Sequence, residues 1–220
     1  MNALTRVWDR FHENRLTKLV LPYTLVGSER AKNLFRLARR IERERVPGDV
    51  VECGVCNGGT AAILASTATR SSLNRTVWLL DLFQGMPDVT PEDGVSAGGR
   101  NAQSHVGQEV GSIDRVNEVL RQVDADISRV RIIPGWFEDT FAFVTTSQIA
   151  ILNIDADWYK SVKLCLETFY DRVVPGGFVS FDDYGHWPGC RKAVDEFFSA
   201  REISFPLREV DYTARWFQKL

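Results

Sequence analysis

Short apolar segments alternate with helical segments along most of this chain, and no other feature of the sequence limits its fold as strongly. The apolar segments are DVVECG (49–54), TVWLLDLF (76–83), VRIIPGWF (130–137), IAILNID (149–155) and GFVSFDD (177–183). Strands that alternate with helical segments of about 10–15 residues form right-handed βαβ units. We therefore expect a mostly parallel sheet with helices on both faces.

The C-terminal segments ISFPLREV (203–210) and ARWFQKL (214–220) are separated by a short link. Strands joined in this way pair antiparallel, so we expect these two at one edge of the sheet. That ending distinguishes methyltransferase-type sheets from plain dinucleotide-binding ones. The predicted fold is a Rossmann-like class I methyltransferase fold, with a central, mostly parallel seven-stranded sheet and an antiparallel C-terminal strand pair.

One domain is expected, because a chain of 220 residues can bury one sizeable core. Residues 1–46 are predicted to form an N-terminal helical or lid segment, since the residues after Ser28 have the apolar periodicity of an amphipathic helix. A further helix is predicted over residues 161–173, ended by PGG at 175–177. Residues 84–112 are rich in glycine and weakly periodic, which is typical of a substrate loop or of disorder.

The charge balance and the cysteine content exclude several classes of protein. With 27 basic and 29 acidic residues, no global charge favours nucleic acid or anionic lipid. No apolar run approaches the roughly 18 residues of a membrane span, and the first twenty residues lack a signal-peptide core, so we expect a cytoplasmic protein. Four cysteines suit a reducing compartment, and the Cys53–Cys56 pair lacks the second pair that a zinc site needs.

A glycine-rich turn, ECGVCNGG (52–59), follows the first predicted strand and precedes a helix. Glycines allow a tight turn and a close approach of a ligand to the main chain, and the helix N-terminus offers unpaired N–H groups. The spacing is not GxGxxG, so a pyrophosphate cradle and an NAD-dependent oxidoreductase are disfavoured.

Acidic residues near this turn favour a different cofactor. Asp81 ends the second predicted strand, where an acid can accept both ribose hydroxyls of an adenosine. Glu52 would repel a diphosphate but suits a positively charged amino-acid tail, which S-adenosylmethionine has. The predicted cofactor-binding residues are Glu52, Cys53, Gly54, Asp81, Trp136 and Asp155.

Acids also follow two other predicted strands. DADWYKS (155–161) comes directly after IAILNI, and Asp182 and Asp183 end GFVSFDD. If these strands are neighbours, their carboxyl ends meet at one edge of the sheet and the acids converge. Crowded carboxylates repel one another unless they share protons or bind a cation. An all-oxygen cluster without His or Cys suits Mg²⁺, with Ca²⁺ or Mn²⁺ as lesser candidates.

Three acids are assigned to the metal: Asp155, Asp182 and Asp183. Asp157 is assigned to catalysis as the general base, because a hydroxyl polarised by a metal can lose its proton to a nearby carboxylate. The alternatives for Asp157 are capping of the helix that begins near Ser161 and bracing of the metal site. His105 and His186 are alternative bases.

At these residues the sequence resembles the macrocin-type sugar O-methyltransferases, the TylF-like family of antibiotic-tailoring enzymes. YTLVGSERAKNLF resembles the family's N-terminal segment, and the resemblance extends from about residue 22 to the C-terminus. Five further segments occur in the family's order: VPGDVVECGVCNGGT, LLDLFQGMP, IIPGWFEDT, NIDADWYKS and PGGFVSFDDYG.

The resemblance implies a class I fold, S-adenosylmethionine, Mg²⁺, and methylation of a hydroxyl on a deoxysugar of a natural product. It places the family's metal ligands on Asp155, Asp182 and Asp183 and its base on Asp157, and it suggests a homo-oligomer. Where the family has GVWRGG, this chain has Cys56 and Asn57 in place of Trp and Arg. Residues 84–112 do not match the family well, which leaves the identity of the small-molecule acceptor open.

Two other functions remain alternatives. Caffeoyl-CoA and catechol O-methyltransferases use DADK and DN motifs built on the same plan, but they have Lys where this chain has Trp158. A module that binds S-adenosylmethionine without catalysis is disfavoured because all four acids are retained.

Overall fold

The computed structural model describes residues 3–220, with side chains described from residue 9 onward. Its seven strands form one sheet in the order β3-β2-β1-β4-β5-β7-β6. They are β1 (Asp49–Cys53), β2 (Val77–Asp81), β3 (Val130–Pro134), β4 (Ile149–Ile154), β5 (Val173–Phe181), β6 (Arg208–Glu209) and β7 (Arg215–Gln218). The helices are α1 (Ala3–Val20), α2 (Ser28–Arg43), α3 (Gly59–Ala68), α4 (Ile113–Gln122), α5 (Phe137–Thr140), α6 (Tyr159–Phe169) and α7 (Pro188–Ala200).

The sheet has the predicted arrangement. Strands β1 to β5 pair in parallel, and β4 lies beside β5 with Ile154 opposite Phe181. Asp155 and Asp182 therefore leave the sheet side by side, and the Asp182 N–H donates to the Ile154 carbonyl at 3.0 Å. Strand β7 pairs antiparallel with both β5 and β6, which confirms the predicted C-terminal edge and the class I fold.

Three boundaries differ from the sequence expectations. Helix α6 occupies Tyr159–Phe169 and continues as a 3-10 turn over Tyr170–Arg172, earlier than the predicted 161–173. The PGG sequence lies inside β5 instead of ending that helix, because Gly176 and Gly177 pair with Lys219 at the sheet edge. Strand β6 contains only two residues of the predicted 203–210 strand.

The core forms on both faces of the sheet, because successive residues of the central strands point to opposite sides. Val50 packs with the apolar residues of α2, α3 and α4. Val51 packs with α6 and α7, where Phe169 and Phe198 are fully buried. Full burial of side chains of this size stabilises the fold by about 1.5–3 kcal/mol each. Within residues 3–220, no helix is both long and apolar enough to cross a membrane.

Residues 84–112 form an irregular segment that is attached to the start of α6 by two hydrogen bonds. The buried carboxylate of Asp93 accepts the N–H of Tyr159 at 2.7 Å, and the Trp158 indole donates to the Pro87 carbonyl at 2.9 Å. A 3-10 turn occupies Ala102–His105. This segment therefore lies over the carboxyl ends of the strands, where ligands bind in open α/β sheets.

Candidate active site

A cavity of about 300 Å³ opens above the carboxyl ends of β1 and β2. Its wall includes four residues that were predicted from the sequence to bind the cofactor: Gly54, Asp81, Trp136 and Asp155. The Trp136 side chain is 49% exposed, so its ring face is available for contact with a flat ligand. The cavity has the size of a small-molecule site.

The Asp81 carboxylate fixes the glycine-rich turn. Its Oδ2 accepts the N–H groups of Val55 at 2.6 Å and Cys56 at 2.8 Å, and its Oδ1 accepts the N–H of Phe83 at 2.6 Å. A carboxylate has about four acceptor positions, so Asp81 retains capacity for a further donor from the cavity. The residue predicted to accept ribose hydroxyls also organises the turn beside it.

The end of the neighbouring strand β4 leaves no space for a side chain at Gly54. Its φ is +90°, and a Cβ at this position would lie 1.7 Å from the main-chain oxygen of Asp155. The close approach is therefore between the turn after β1 and the end of β4. Access for a ligand was the predicted reason for this glycine, whereas the contact with Asp155 within the protein is the stronger constraint.

The side chains of Glu52 and Cys53 do not line this cavity, in contrast to the other predicted cofactor residues. Both are fully buried. Glu52 lies on the α2–α3 face of β1, where its Oε1 accepts the Asn153 amide at 2.9 Å. Burial raises the pKa of the Glu52 carboxyl to about 8. Cys53 faces the opposite side and packs among apolar residues near Cys165.

A second cavity, of about 420 Å³, opens beside the first above β4 and β5. Met86, Glu109 and Asp157 line both cavities. The remaining wall comes from the N-terminal segment, from residues 98–105, and from the ends of β5 and β7: Leu25, Val26, Arg30, Gly98, Arg100, His105, Asp182, Asp183, His186, Trp187, Tyr212 and Thr213. Asp157 thus lies where the two cavities meet.

Three carboxylates converge at this junction. Ligand oxygens of Asp155, Asp157 and Asp183 all lie within 4.8 Å of one another. Burial, followed by the charges of neighbouring acids, raises the pKa of all three carboxyls well above the usual range. Among the described residues, Asp183 Oδ2 is buried without a hydrogen-bond partner. This combination favours a bound cation or shared protons.

Asp182, the fourth predicted acid, has a different partner. It forms an ion pair with Arg30 of α2, whose Nε also lies 3.2 Å from Oδ2 of Asp211 in the β6–β7 turn. Burial raises the pKa of Asp182 to about 6, although the Arg30 charge opposes that rise. The structure therefore brings together Asp155, Asp157 and Asp183, while Asp182 beside them is occupied by an arginine.

Asp157 lies directly before α6 but does not cap that helix through its side chain. Trp158 is the N-cap residue and makes no side-chain cap bond, and the first N–H of the helix, that of Tyr159, donates to Asp93 instead. The Asp157 Oδ1 instead accepts the Trp187 indole N–H at 3.0 Å. The alternative bases lie near: His105 and His186 both line the second cavity. Burial and nearby cationic groups lower the pKa of His186, and its Nδ1 lies 3.3 Å from the Tyr212 hydroxyl.

Arg30, Trp187 and Asp211 are site residues that were not predicted from the sequence. Arg30 belongs to the amphipathic helix predicted after Ser28, and its pairing depends on how α2 packs across the sheet edge. Trp187 offered one usable signal, because tryptophan is on average a highly buried residue type and this one lies close after the paired acids, in DDYGHW.

Comparisons with known proteins agree with this architecture. The family model for macrocin O-methyltransferase (TylF) matches residues 10–219. Demethyldecarbamoylnovobiocin O-methyltransferase of Streptomyces niveus is 34% identical over 200 residues, covering 90% of this chain and 76% of that protein. The 8-demethyl-8-(2,3-dimethoxy-alpha-L-rhamnosyl)-tetracenomycin-C 4'-O-methyltransferase of Streptomyces olivaceus is 33% identical over 192 residues, covering 87% and 73%.

A solved structure is similar over the same region. The O-methyltransferase NovP superimposes with a TM-score of 0.77 at 34% identity, covering 90% of this chain and 82% of that chain. The family match spans nearly the whole sequence, and the sheet order, the glycine-rich turn and the acids at the strand ends all lie within it. This chain belongs to the macrocin O-methyltransferase (TylF) family and is an O-methyltransferase of class I fold.

Proposed function

We propose that this enzyme transfers the methyl group of S-adenosylmethionine to a hydroxyl of a sugar carried by a natural product, with Mg²⁺ at the carboxylate cluster. The observation that carries the proposal is the position of Asp157. It lies at the junction of the two cavities, and its carboxylate contacts the cluster that would hold the cation. A donor in one cavity and an acceptor in the other would meet beside it.

The first cavity fits the methyl donor. Gly54, Asp81, Trp136 and Asp155 would surround it, and Asp81 keeps an acceptor position for a ribose hydroxyl. Glu52 and Cys53 would act on the donor only through the strand that carries the turn, because their side chains are buried below it. The second cavity would then hold the sugar, and the rhamnosyl group named in the Streptomyces olivaceus relative supports this acceptor class.

The acids fit a hard divalent cation. They offer oxygen ligands only, and Asp183 Oδ2 has no partner among the described residues. We propose Asp155, Asp182 and Asp183 as the ligands, so that Asp182 exchanges Arg30 for the cation. When bound, S-adenosylmethionine supplies an electrophilic methyl group, and a divalent cation favours the ionised form of an acceptor hydroxyl.

Asp157 would act as the general base. A carboxylate next to the acceptor hydroxyl can take its proton as the new bond to oxygen forms. Burial raises the pKa of the Asp157 carboxyl and thus its proton affinity, and a cation among the neighbouring acids would favour the ionised form that a general base needs. Trp158 replaces the lysine of catechol-type enzymes and is buried with its indole bonded to Pro87, so this position supplies no cationic side chain.

Methyl transfer to a panel of acceptors tests the proposal. The purified enzyme is incubated with methyl-labelled S-adenosylmethionine and either deoxysugar glycosides or catechols, with Mg²⁺ or with EDTA. We expect label on a sugar hydroxyl in Mg²⁺ only, and S-adenosylhomocysteine but not NAD should raise the melting temperature. Methylation of catechols alone would contradict the acceptor class, and full turnover in EDTA would contradict the metal.

A further inference from the structure

One indole N–H connects the proposed base to the rest of the site. Trp187 lies between β5 and α7, is 3% exposed, and donates its Nε1–H to Oδ1 of Asp157 at 3.0 Å. Its main-chain N–H donates to the Asp183 carbonyl, also at 3.0 Å. A single residue therefore connects the acid after β4 with the acid after β5.

The Asp157 backbone needs such support. Its φ is +52°, in the left-handed region that residues other than glycine rarely adopt. The N–H of Trp158 donates to the Ala156 carbonyl at 2.5 Å, so Asp157 occupies the centre of a three-residue turn. Turns of this kind with positive φ are rare and strained, and they persist only where the surrounding structure holds them.

The Trp187 ring is itself held in place. Its centroid lies 4.9 Å from the Trp158 ring, 5.3 Å from His105 and 4.9 Å from His186, all with edge-to-face geometry. These contacts restrict the rotamer of Trp187 and thus the direction of its N–H. The donor that reaches Asp157 is therefore preorganised.

We propose that Trp187 is a positioning residue for catalysis: its indole N–H holds Asp157 Oδ1, so that Oδ2 is presented to the acceptor hydroxyl. The proposal rests on the proposed function. Without this bond, a carboxylate in a strained turn among like charges has no fixed orientation. An indole donor fixes the orientation of the carboxylate and leaves its negative charge in place. A lysine or arginine would also neutralise that charge.

Replacement of the donor tests the proposal through kcat. In Trp187→Phe, we expect kcat to fall about 10- to 100-fold, because small displacements of a catalytic group are costly. The acceptor KM and the affinity for S-adenosylhomocysteine should change less than about threefold, since Asp157 would act on the transition state. The isostere β-(3-benzothienyl)alanine at position 187, which keeps the ring shape and lacks the N–H, should give the same result if Trp187→Phe is poorly folded.

Trp78 offers a matched control. Its indole donates to Oδ2 of Asp49 at 2.9 Å, at the opposite end of the sheet. Trp78→Phe removes the same type of bond, so it should lower stability by a comparable amount while leaving kcat unchanged. Equal kcat in Trp187→Phe and Trp78→Phe would overturn the proposal.

A double-mutant cycle separates positioning from general damage. If Trp187 acts through Asp157, then Trp187→Phe should have little further effect on kcat once Asp157→Asn is present. Fully additive effects would overturn the positioning role while leaving the methyltransferase proposal intact. Failure of the proposed function has a different signature, since the wild-type enzyme would then methylate no sugar hydroxyl.

Discussion

The two ends of the sheet contain similar bonds between polar groups but use them differently. At the amino end, Asp49 Oδ1 accepts the N–H of Thr76 at 2.8 Å and Oδ2 accepts the indole of Trp78 at 2.9 Å. Arg75, fully buried, pairs with Glu42 at 2.5 Å and donates to main-chain carbonyls, including that of Val46. The charged side chains of Asp49, Arg75 and Glu42 thus all have hydrogen-bond or ion-pair partners.

At the carboxyl end the charges are not balanced. Asp157 also accepts a tryptophan indole, and Asp182 also pairs with an arginine, the half-buried Arg30. However, Asp155 and Asp183 lie within 4.8 Å of Asp157, and among residues 9–220 neither forms an ion pair with a basic side chain. The comparison indicates that the amino end is organised for stability, whereas the carboxyl end holds unrelieved charge for a ligand.

Substitution of one aspartate by asparagine at each end of the sheet should give the largest difference in kcat between the two ends. Asp157→Asn is expected to lower kcat about 10³-fold, because an amide cannot accept the proton. Its affinity for S-adenosylhomocysteine, measured by calorimetry, should be retained. Asp49→Asn should leave kcat unchanged and lower the free energy of unfolding by about 1 kcal/mol. Unchanged turnover in Asp157→Asn would place the base elsewhere, with His105 and His186 as the next candidates.

Removal of Arg75 or of Arg30 should distinguish a structural ion pair from an exchangeable one. Arg75→Met is expected to lower the free energy of unfolding by about 3 kcal/mol, because Glu42 and several carbonyls lose their donor. Mg²⁺ should not restore this loss. Arg30→Met should lose about 2 kcal/mol in EDTA and recover most of it in Mg²⁺, since the cation would take the place of the guanidinium beside Asp182. Denaturant unfolding measures both, and equal responses to Mg²⁺ would remove Asp182 from the ligand set.

The buried Glu52 predicts a smaller effect that depends on pH. Its folded-state pKa of about 8 lies above the ordinary value of 4.5, so the folded protein binds the proton more tightly than the unfolded chain does. The free energy of unfolding should therefore fall as pH rises through this window. Glu52→Gln removes that dependence, and its stability relative to wild type should increase by about 2 kcal/mol between pH 6 and pH 8. A pH-independent difference would show that Glu52 is already ionised in the fold.

Most of the fold was predictable because it follows from local patterns. The apolar segments and helical spacing gave β1 to β5 and the antiparallel edge, and the crossover rule placed Asp155 beside Asp182. Boundaries were less accurate where tertiary contacts decide them. PGG was predicted to end a helix, but Gly176 and Gly177 form main-chain hydrogen bonds with Lys219, directly after β7, and therefore belong to β5.

The site was predictable in position but not in its partners. Positions at strand ends indicate which acids lie close together, but they do not indicate which basic side chain pairs with them. Arg30 lies 152 residues from Asp182 in sequence, and only the packing of α2 brings them together. Glu52 and Cys53 precede the turn, but both faces of β1 are covered by helices, so both side chains are buried.

The central claim is that the carboxyl end of the sheet binds one divalent cation beside Asp157, which is not itself a ligand of that cation. Crystals grown with S-adenosylhomocysteine and Mn²⁺, measured for anomalous scattering, test it most directly. The account predicts one manganese peak bonded to carboxylate oxygens of Asp155, Asp182 and Asp183, with Arg30 displaced from Asp182. It would be contradicted by the absence of a peak among these acids while Arg30 remains paired, or by a peak that uses Asp157 as a ligand in place of Asp182.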